Sequence, residues 1–195
     1  MTPAQLLEAS GFAGWTIGAF LLGMASSFMA TRVYESLKTP RLRIVVGGHT
    51  PESDHRLLHL RVENPAIWWR LSPRPAADST AALHFTRSDG TMLSIPARWT
   101  ETPTPTPNEA YLGGRLTILP RGKGNIPVAI KVQGQNHCYA YANRSCFGAE
   151  IEEWILDGTQ ILLRCEVRSG ETGKTGVFLI SNPGSSVDEF SIHPR

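Results

Sequence analysis

The chain has little charge, few cysteines and no internal repeat. Charged residues make up 18% of its 195 residues and the formal net charge is +2. These values exclude a strongly basic nucleic-acid-binding protein and a highly charged disordered chain. Three cysteines are too few for a disulfide-rich secreted scaffold. The hydrophobic fraction of 41% is sufficient for one folded domain, and the length is too short for two full-sized cores.

Recognisable catalytic and metal-binding patterns are also missing. The stretch 170–175 lacks the first glycine of a phosphate-binding P-loop and lies between two strand patterns, so it predicts a hairpin turn. His55 and His59 have the spacing of a helical zinc pair, but they fall on a predicted strand. Cys138 and Cys146 lack the spacing of a zinc knuckle. No serine, histidine and acid combination has a nucleophile-elbow setting. We therefore expect no enzyme, no cofactor and no metal.

A long uncharged segment lies near the N-terminus. Residues 9–31 contain no Asp, Glu, Lys, Arg or His, and as an α-helix they would span roughly 34 Å, enough to cross a bilayer. A cleaved signal peptide is the alternative, but it would need a positively charged start and a shorter apolar run. The sequence therefore predicts a short tail over residues 1–8, a transmembrane helix over residues 9–31 and a basic linker over residues 32–40.

Positive charge is distributed unequally around the predicted span. No Lys or Arg precedes it, whereas basic residues follow it closely, at Arg32, Lys38, Arg41 and Arg43. Because basic flanks favour the cytoplasmic side, this asymmetry predicts that the N-terminus lies outside and that the C-terminal body is cytoplasmic.

Small residues recur at four-residue spacing along the span. Gly14 and Gly18 form a GxxxG step, and a second ridge consists of Ala19, Gly23 and Ser27. Small residues allow two helix backbones to approach closely, so the ridges predict packing against other transmembrane helices. The alternative is that glycine and alanine are simply common in membrane helices.

Period-two alternation dominates residues 41–195. Several short strand patterns separated by turns predict a mainly β domain, an antiparallel immunoglobulin-like β-sandwich. Hairpins are expected around residues 88–90 and 170–175, and residues 149–156 suit a short helix as well as a strand. The residues predicted on the apolar strand faces are Leu42, Ile44 and Val46; Leu58, Leu60 and Val62; Ala81, Leu83 and Phe85; Ile126, Val128, Ile130 and Val132; and Ile161, Leu163, Cys165 and Val167.

The tryptophans have two predicted roles. Trp99 and Trp154 are expected in the core. The Trp68-Trp69 doublet would place its rings on opposite faces of an extended strand, so one ring is a candidate surface for a partner or for lipid headgroups. The alternative is a half-exposed tryptophan at a strand end with no such role.

A single N-terminal span followed by an immunoglobulin-like sandwich resembles the architecture of the copper-delivery assembly factors of cytochrome oxidase. Those proteins carry a paired-cysteine copper motif, and the spacing from Cys138 to Cys146 departs from it. The resemblance therefore implies an architecture and no copper role.

These patterns favour a non-enzymatic, single-pass membrane protein whose β-sandwich acts as an accessory or scaffold subunit of a larger membrane complex. Its expected partners are other transmembrane helices, further subunits and the lipid bilayer, without nucleic acid. Two alternatives remain open. One is a membrane-tethered ligand-binding or sensor domain, and the other is an exported assembly chaperone or metal carrier.

Overall fold

The computed structural model describes residues 3–51, 54–66, 74–102, 114–141 and 154–195, and for residues 3–18 it describes the helical backbone alone. The chain divides into two compact units, Met1–Thr39 and Pro40–Arg195. The first contains one helix and the second is built from strands. The mainly β character predicted from the period-two patterns is thereby confirmed.

Helix α1 spans Pro3–Lys38. It therefore includes the predicted tail from residue 3 and most of the predicted linker. Near its end the Thr39 amide still donates to the Glu35 carbonyl, at 3.0 Å, and Pro40 follows, which has no amide hydrogen to continue the helix.

The strands form two antiparallel sheets. The first sheet has the order β1-β2-β6-β7-β8, and the second has the order β11-β10-β9-β3-β4, with β5 also paired to β3. The strands are β1 (Arg43–Pro51), β2 (His55–Glu63), β3 (Ala76–Thr86), β4 (Met92–Ala97), β5 (Leu116–Ile118), β6 (Lys123–Val132), β7 (Cys138–Ala140), β8 (Ile155–Leu156), β9 (Gln160–Ser169), β10 (Thr172–Ser181) and β11 (Ser191–Pro194).

One apolar core lies between the two sheets. The inward-facing residues predicted for β2, β3 and β9 are all buried, and those predicted around β1 are buried or pack against the core. Trp99 is fully buried, as expected, and its indole Nε1 donates to the Ser79 carbonyl at 2.9 Å. Trp154 is half-buried and packs against the core from its edge. The two sheets and their shared core form a β-sandwich.

Both predicted hairpins are present. β3 pairs with β4, and β9 pairs with β10 over their full lengths. The second turn is tighter than the sequence indicates, since Thr172 already pairs with Ser169 and the loop consists of Gly170 and Glu171. Gly170 has a φ of 55°, a left-handed conformation that glycine adopts without strain. Of the ambiguous segment 149–156, residues 155–156 form strand β8, and residues 149–153 lie outside the described part.

In β6, Ile126, Val128 and Ile130 are buried as predicted, but the regular alternation of faces on which the prediction rested does not continue through the strand. A register shift of β6 against β2 lies opposite Leu58 and His59, so that Val128 is an extra residue between Pro127 and Ala129. Such a β-bulge reverses the facing of every later side chain in the strand. Ala129 therefore joins the central core. Lys131, which alternation placed on the wet face, is fully buried.

Candidate functional site

The described side chains of α1 are almost uniformly exposed. Every residue from 19 to 36 is exposed, and neighbours such as Leu21 and Leu22 point to different sides because successive helical residues are rotated by about 100°. A helix that is apolar on all sides needs apolar surroundings. The large exposed apolar residues of α1 are Phe20, Leu21, Leu22, Met24, Phe28, Met29, Val33 and Tyr34.

Polar groups on α1 are satisfied within the helix. The Ser26 hydroxyl donates to the Gly23 carbonyl and the Thr31 hydroxyl donates to the Ser27 carbonyl, each at 2.9 Å. Such local bonds remove the need for water, which is the requirement that a lipid environment imposes on hydroxyl groups.

The C-terminal part of α1 carries cations close to aromatic rings. The Arg32 guanidinium lies 5.2 Å from the centre of the Phe28 ring, and Lys38 Nζ lies 4.1 Å from the centre of the Tyr34 ring. Aromatic and basic residues of this kind are typical of the boundary between hydrocarbon and headgroups.

The predicted helix-packing residues are only partly within the described side chains. Ala19, Gly23 and Ser27 are exposed on α1, and a Cβ added at Gly23 would meet no atom within 4 Å. Gly14 and Gly18 belong to the stretch for which the helical backbone alone is described, so the GxxxG step remains a prediction. Trp68 and Trp69 lie outside the described residues, and their predicted partner surface remains untested.

The described part of the chain contains no helix with both the length and the apolar character needed to cross a membrane. The predicted span begins at Ala9, and its side chains as far as Gly18 are not among those described.

A cavity of about 190 Å³ opens on the sandwich, large enough for a ligand of about the size of one aromatic ring. The outward-facing side of β2 and β6 forms one part of it, and the segment after β4 forms another. The lining residues are Leu57, His59, Arg98, Trp99, Thr100, Pro127 and Tyr141.

His59 gives this cavity its chemical character. Its Nε2 lies 3.0 Å from the Thr50 hydroxyl, whereas its Nδ1 is buried and has no hydrogen-bond partner among the described residues. Burial lowers the pKa of His59, while the negative charge of Glu101 raises it and His49 lowers it further. The imidazole thus lies at the cavity with one ring nitrogen next to the Thr50 hydroxyl and the other enclosed and unpaired. From the sequence, His59 was considered only as a zinc ligand, and its position at a cavity was not predicted.

A second buried polar cluster lies near the C-terminal end of β6, the strand that also contributes Pro127 to the cavity. Lys131 Nζ donates to the Asn182 side-chain oxygen and to the Gly184 carbonyl. The Asn182 side-chain amide in turn donates to the carbonyls of Asn136 and Gly158, at 3.0 and 3.3 Å. Burial lowers the pKa of Lys131, and interaction with Cys138 partly opposes this shift. The cluster ties three loops together, which is a structural function. The burial of Lys131 follows from the β-bulge in β6, so only recognition of that bulge could have indicated the cluster.

The two cysteines that the structure describes, Cys138 and Cys165, are poorly placed for redox or metal chemistry. Cys138 and Cys165 are buried free thiols, and burial raises the pKa of each to about 12. A thiol with a raised pKa is a weak nucleophile and a weak metal ligand. Cys165 lies on the apolar face of its strand, as predicted. Cys146 lies outside the described residues, so a Cys138–Cys146 bridge, which the alternative of an exported assembly chaperone or metal carrier would predict, is not tested.

Metal-ligating side chains do not cluster in the described residues: no group of three or more His, Cys, Asp or Glu is placed to hold an ion. The chain matches no known family model, and comparisons with curated proteins and with solved structures give no match. The function must therefore be inferred from the geometry of the chain itself.

Proposed function

We propose that this protein is a non-enzymatic, single-pass membrane protein whose β-sandwich serves as an accessory or scaffold subunit of a larger membrane complex. In this proposal α1 is the anchor and packs against other transmembrane helices, and the sandwich is of the immunoglobulin-like type and faces the cytoplasm. The observation that carries the proposal is the set of large apolar side chains exposed on α1 between Phe20 and Tyr34.

Three features support a lipid-embedded helix. Large apolar side chains project in several directions from the uncharged part of α1, so no continuous polar face forms there. The hydroxyls of Ser26 and Thr31 are bonded to the helix itself. Arg32 and Lys38 lie at the end of the apolar stretch, where basic residues favour the cytoplasmic side of a bilayer.

The test is purification of the full chain from native membranes in mild detergent. We expect recovery of a stoichiometric larger assembly. Gly14→Leu with Gly18→Leu should release the chain from that assembly, because leucine prevents close approach of two helix backbones. Met24→Leu with Met29→Leu preserves apolar bulk and should leave the assembly intact. A monodisperse monomer from the wild-type chain would reject the proposal.

A ligand-binding or sensor function is the second candidate, favoured by the cavity at His59. The imidazole of His59 and the guanidinium of Arg98, which also donates to the Thr102 carbonyl at 2.9 Å, would bind a small polar or anionic ligand, and Trp99 would contact its apolar part. Ligand-detected NMR with a library of small carboxylates and ring compounds tests it. His59→Ala should abolish any binding, whereas His84→Ala, on the second sheet, should not. Equal binding by both variants would reject this cavity as the site.

A further inference from the structure

The two ends of the sandwich carry exposed charges of opposite sign, and the basic end is the one that the chain enters after α1. Arg43, Glu63 and Lys123 lie in one row across β1, β2 and β6. The exposed basic residues of this end are Arg41, Arg43, Arg74, Arg115, Arg121 and Lys123.

The buried residue Asn64 holds several of these segments together. Its backbone carbonyl accepts from the Arg121 amide at 2.8 Å, and its backbone amide donates to the Gly122 carbonyl at 3.2 Å. Its side-chain amide donates to the carbonyls of Arg74 and Ile118, at 3.1 and 3.2 Å. The backbone segments that carry Arg74 and Arg121 are therefore held together by hydrogen bonds to Asn64. Leu119, in the same turn as Arg121, is 61% exposed.

Acidic side chains at this end are fewer. Glu63 is half-buried within the row of basic residues, and Asp78, Glu101 and Glu171 are exposed. The Glu101 carboxylate accepts from the Asn125 amide at 3.0 Å, two residues after Lys123. Lys174, on β10 just after the turn that contains Glu171, is also exposed. Among the residues that the structure describes, the balance of exposed charge at this end is positive.

The opposite end has the reverse character. Its exposed charged residues precede β2, follow β8 or lie in the turns after β3 and β10, and they are Asp54, Asp89, Asp157, Asp188 and Glu189. Among the basic groups described there, Arg56 pairs with Asp188 at 3.3 Å, Lys131 is buried, and half-buried Arg87 lies close enough to Asp89 to interact with it. A small net charge for the whole chain thus conceals a strong asymmetry along the sandwich.

We infer that the basic end of the sandwich, with Leu119 at its tip, lies against the anionic lipid headgroups of the bilayer. This inference rests on the proposed anchoring by α1. Three residues, 39–41, separate the last helical residue from Leu42, which is buried in the sandwich core, and this connection reaches at most about 14 Å. An embedded helix would therefore keep this end near the membrane surface, where Lys and Arg are attracted to anionic lipids.

The experiment uses the full chain with Cys146→Ser, reconstituted in phosphatidylcholine vesicles with or without phosphatidylserine. A fluorophore is attached at Leu119→Cys or, as a control on the acidic end, at Ser88→Cys, and quenching by headgroup spin-labelled lipid is measured. Buried Cys138 and Cys165, each with a pKa of about 12, should remain unlabelled. We expect phosphatidylserine to increase quenching at position 119 and not at position 88.

Charge variants identify the contacts. Arg121→Ser with Lys123→Ser should lower the ratio of docked to undocked sandwich about thirtyfold, from about fivefold for each basic residue near an anionic surface. Arg164→Ser with Arg195→Ser removes the same charge elsewhere and should have little effect. Equal quenching at positions 119 and 88, or quenching independent of phosphatidylserine, would overturn the inference. If the chain is not retained in washed vesicles, the anchoring proposal fails and the inference falls with it.

Discussion

Helix α1 and the sandwich use similar apolar residues in opposite ways. In the sandwich, leucine, isoleucine and valine alternate with polar residues, and the apolar half is buried between the sheets. In α1 the apolar residues cover all sides and are exposed from residue 19 to residue 36. The sandwich has its own buried core, whereas the large apolar side chains described for α1 are exposed. The stability of the sandwich and the placement of α1 should therefore respond to different substitutions.

The largest difference between the two regions is expected when a leucine is replaced by alanine in each of them. Leu83→Ala removes a side chain that is 0% exposed and should lower the free energy of unfolding by about 2–5 kcal/mol. Leu22→Ala removes one that is 73% exposed and should change the unfolding of the sandwich by less than about 0.5 kcal/mol. Urea unfolding followed by tryptophan fluorescence measures both. Similar losses for the two variants would mean that α1 belongs to the folding unit of the sandwich.

The next comparison is between a buried polar side chain of the sandwich and a hydroxyl on α1. Asn182→Ala leaves buried Lys131 without one of its two oxygen acceptors and frees two backbone carbonyls, so a loss of about 2–3 kcal/mol is expected. Thr31→Val on α1 removes a hydroxyl bonded within the helix and should not alter sandwich unfolding. Chemical denaturation of both variants checks this. An unaffected Asn182→Ala variant would show that the cluster does not stabilise the sandwich.

A smaller effect should appear in the pH dependence of Lys131. Because burial lowers its pKa in the folded state, the unfolded chain binds more protons between that lowered value and about 10.5, and stability rises with pH there. Lys131→Met lacks this contribution. The stability of the wild-type chain relative to Lys131→Met should therefore increase as the pH rises toward 10.5. Unfolding curves at several alkaline pH values test this, and a constant difference would contradict it.

The smallest effect is expected at His59. Burial lowers its pKa below the usual 6.5, so the unfolded chain binds the extra proton first as the pH falls. The wild-type sandwich should lose stability between pH 6.5 and the lowered pKa, and the loss should then level off. His59→Gln should reduce that loss. Thermal unfolding of both chains across this interval provides the measurement, and identical pH profiles would show that His59 does not contribute.

The sequence predicted most of the strand faces because burial and alternation agree wherever a strand pairs regularly. β2, β3 and β9 follow this rule, and their inward residues were identified correctly. β6 does not, because a single extra residue at Val128 reverses the faces beyond it. No composition cue marks that residue, so the burial of Lys131 was not predicted. The same limit applies to the His59 cavity, whose walls come from segments far apart in the chain.

The unequal distribution of exposed charge between the two ends of the sandwich was also not predicted from the sequence. A net charge of +2 gives no indication of it. The stretch 121–125 reads from the sequence as a turn, and a basic surface is its only other suggestion. The asymmetry depends on strand register and on Asn64, which bring Arg74 and Arg121 to the end of the sheet where Arg43 begins β1. Helix α1 was anticipated more directly, because an uncharged stretch can be recognised without knowledge of contacts.

The central claim is that α1 remains in lipid as the anchor of a separately folded sandwich. The most direct measurement is the fraction of the full chain that stays with the membrane pellet after an alkaline carbonate wash. Our account predicts that nearly all of it remains in the pellet, and that a fragment beginning at Pro40 is recovered folded in the supernatant. Recovery of the full-length chain in the supernatant would contradict the account.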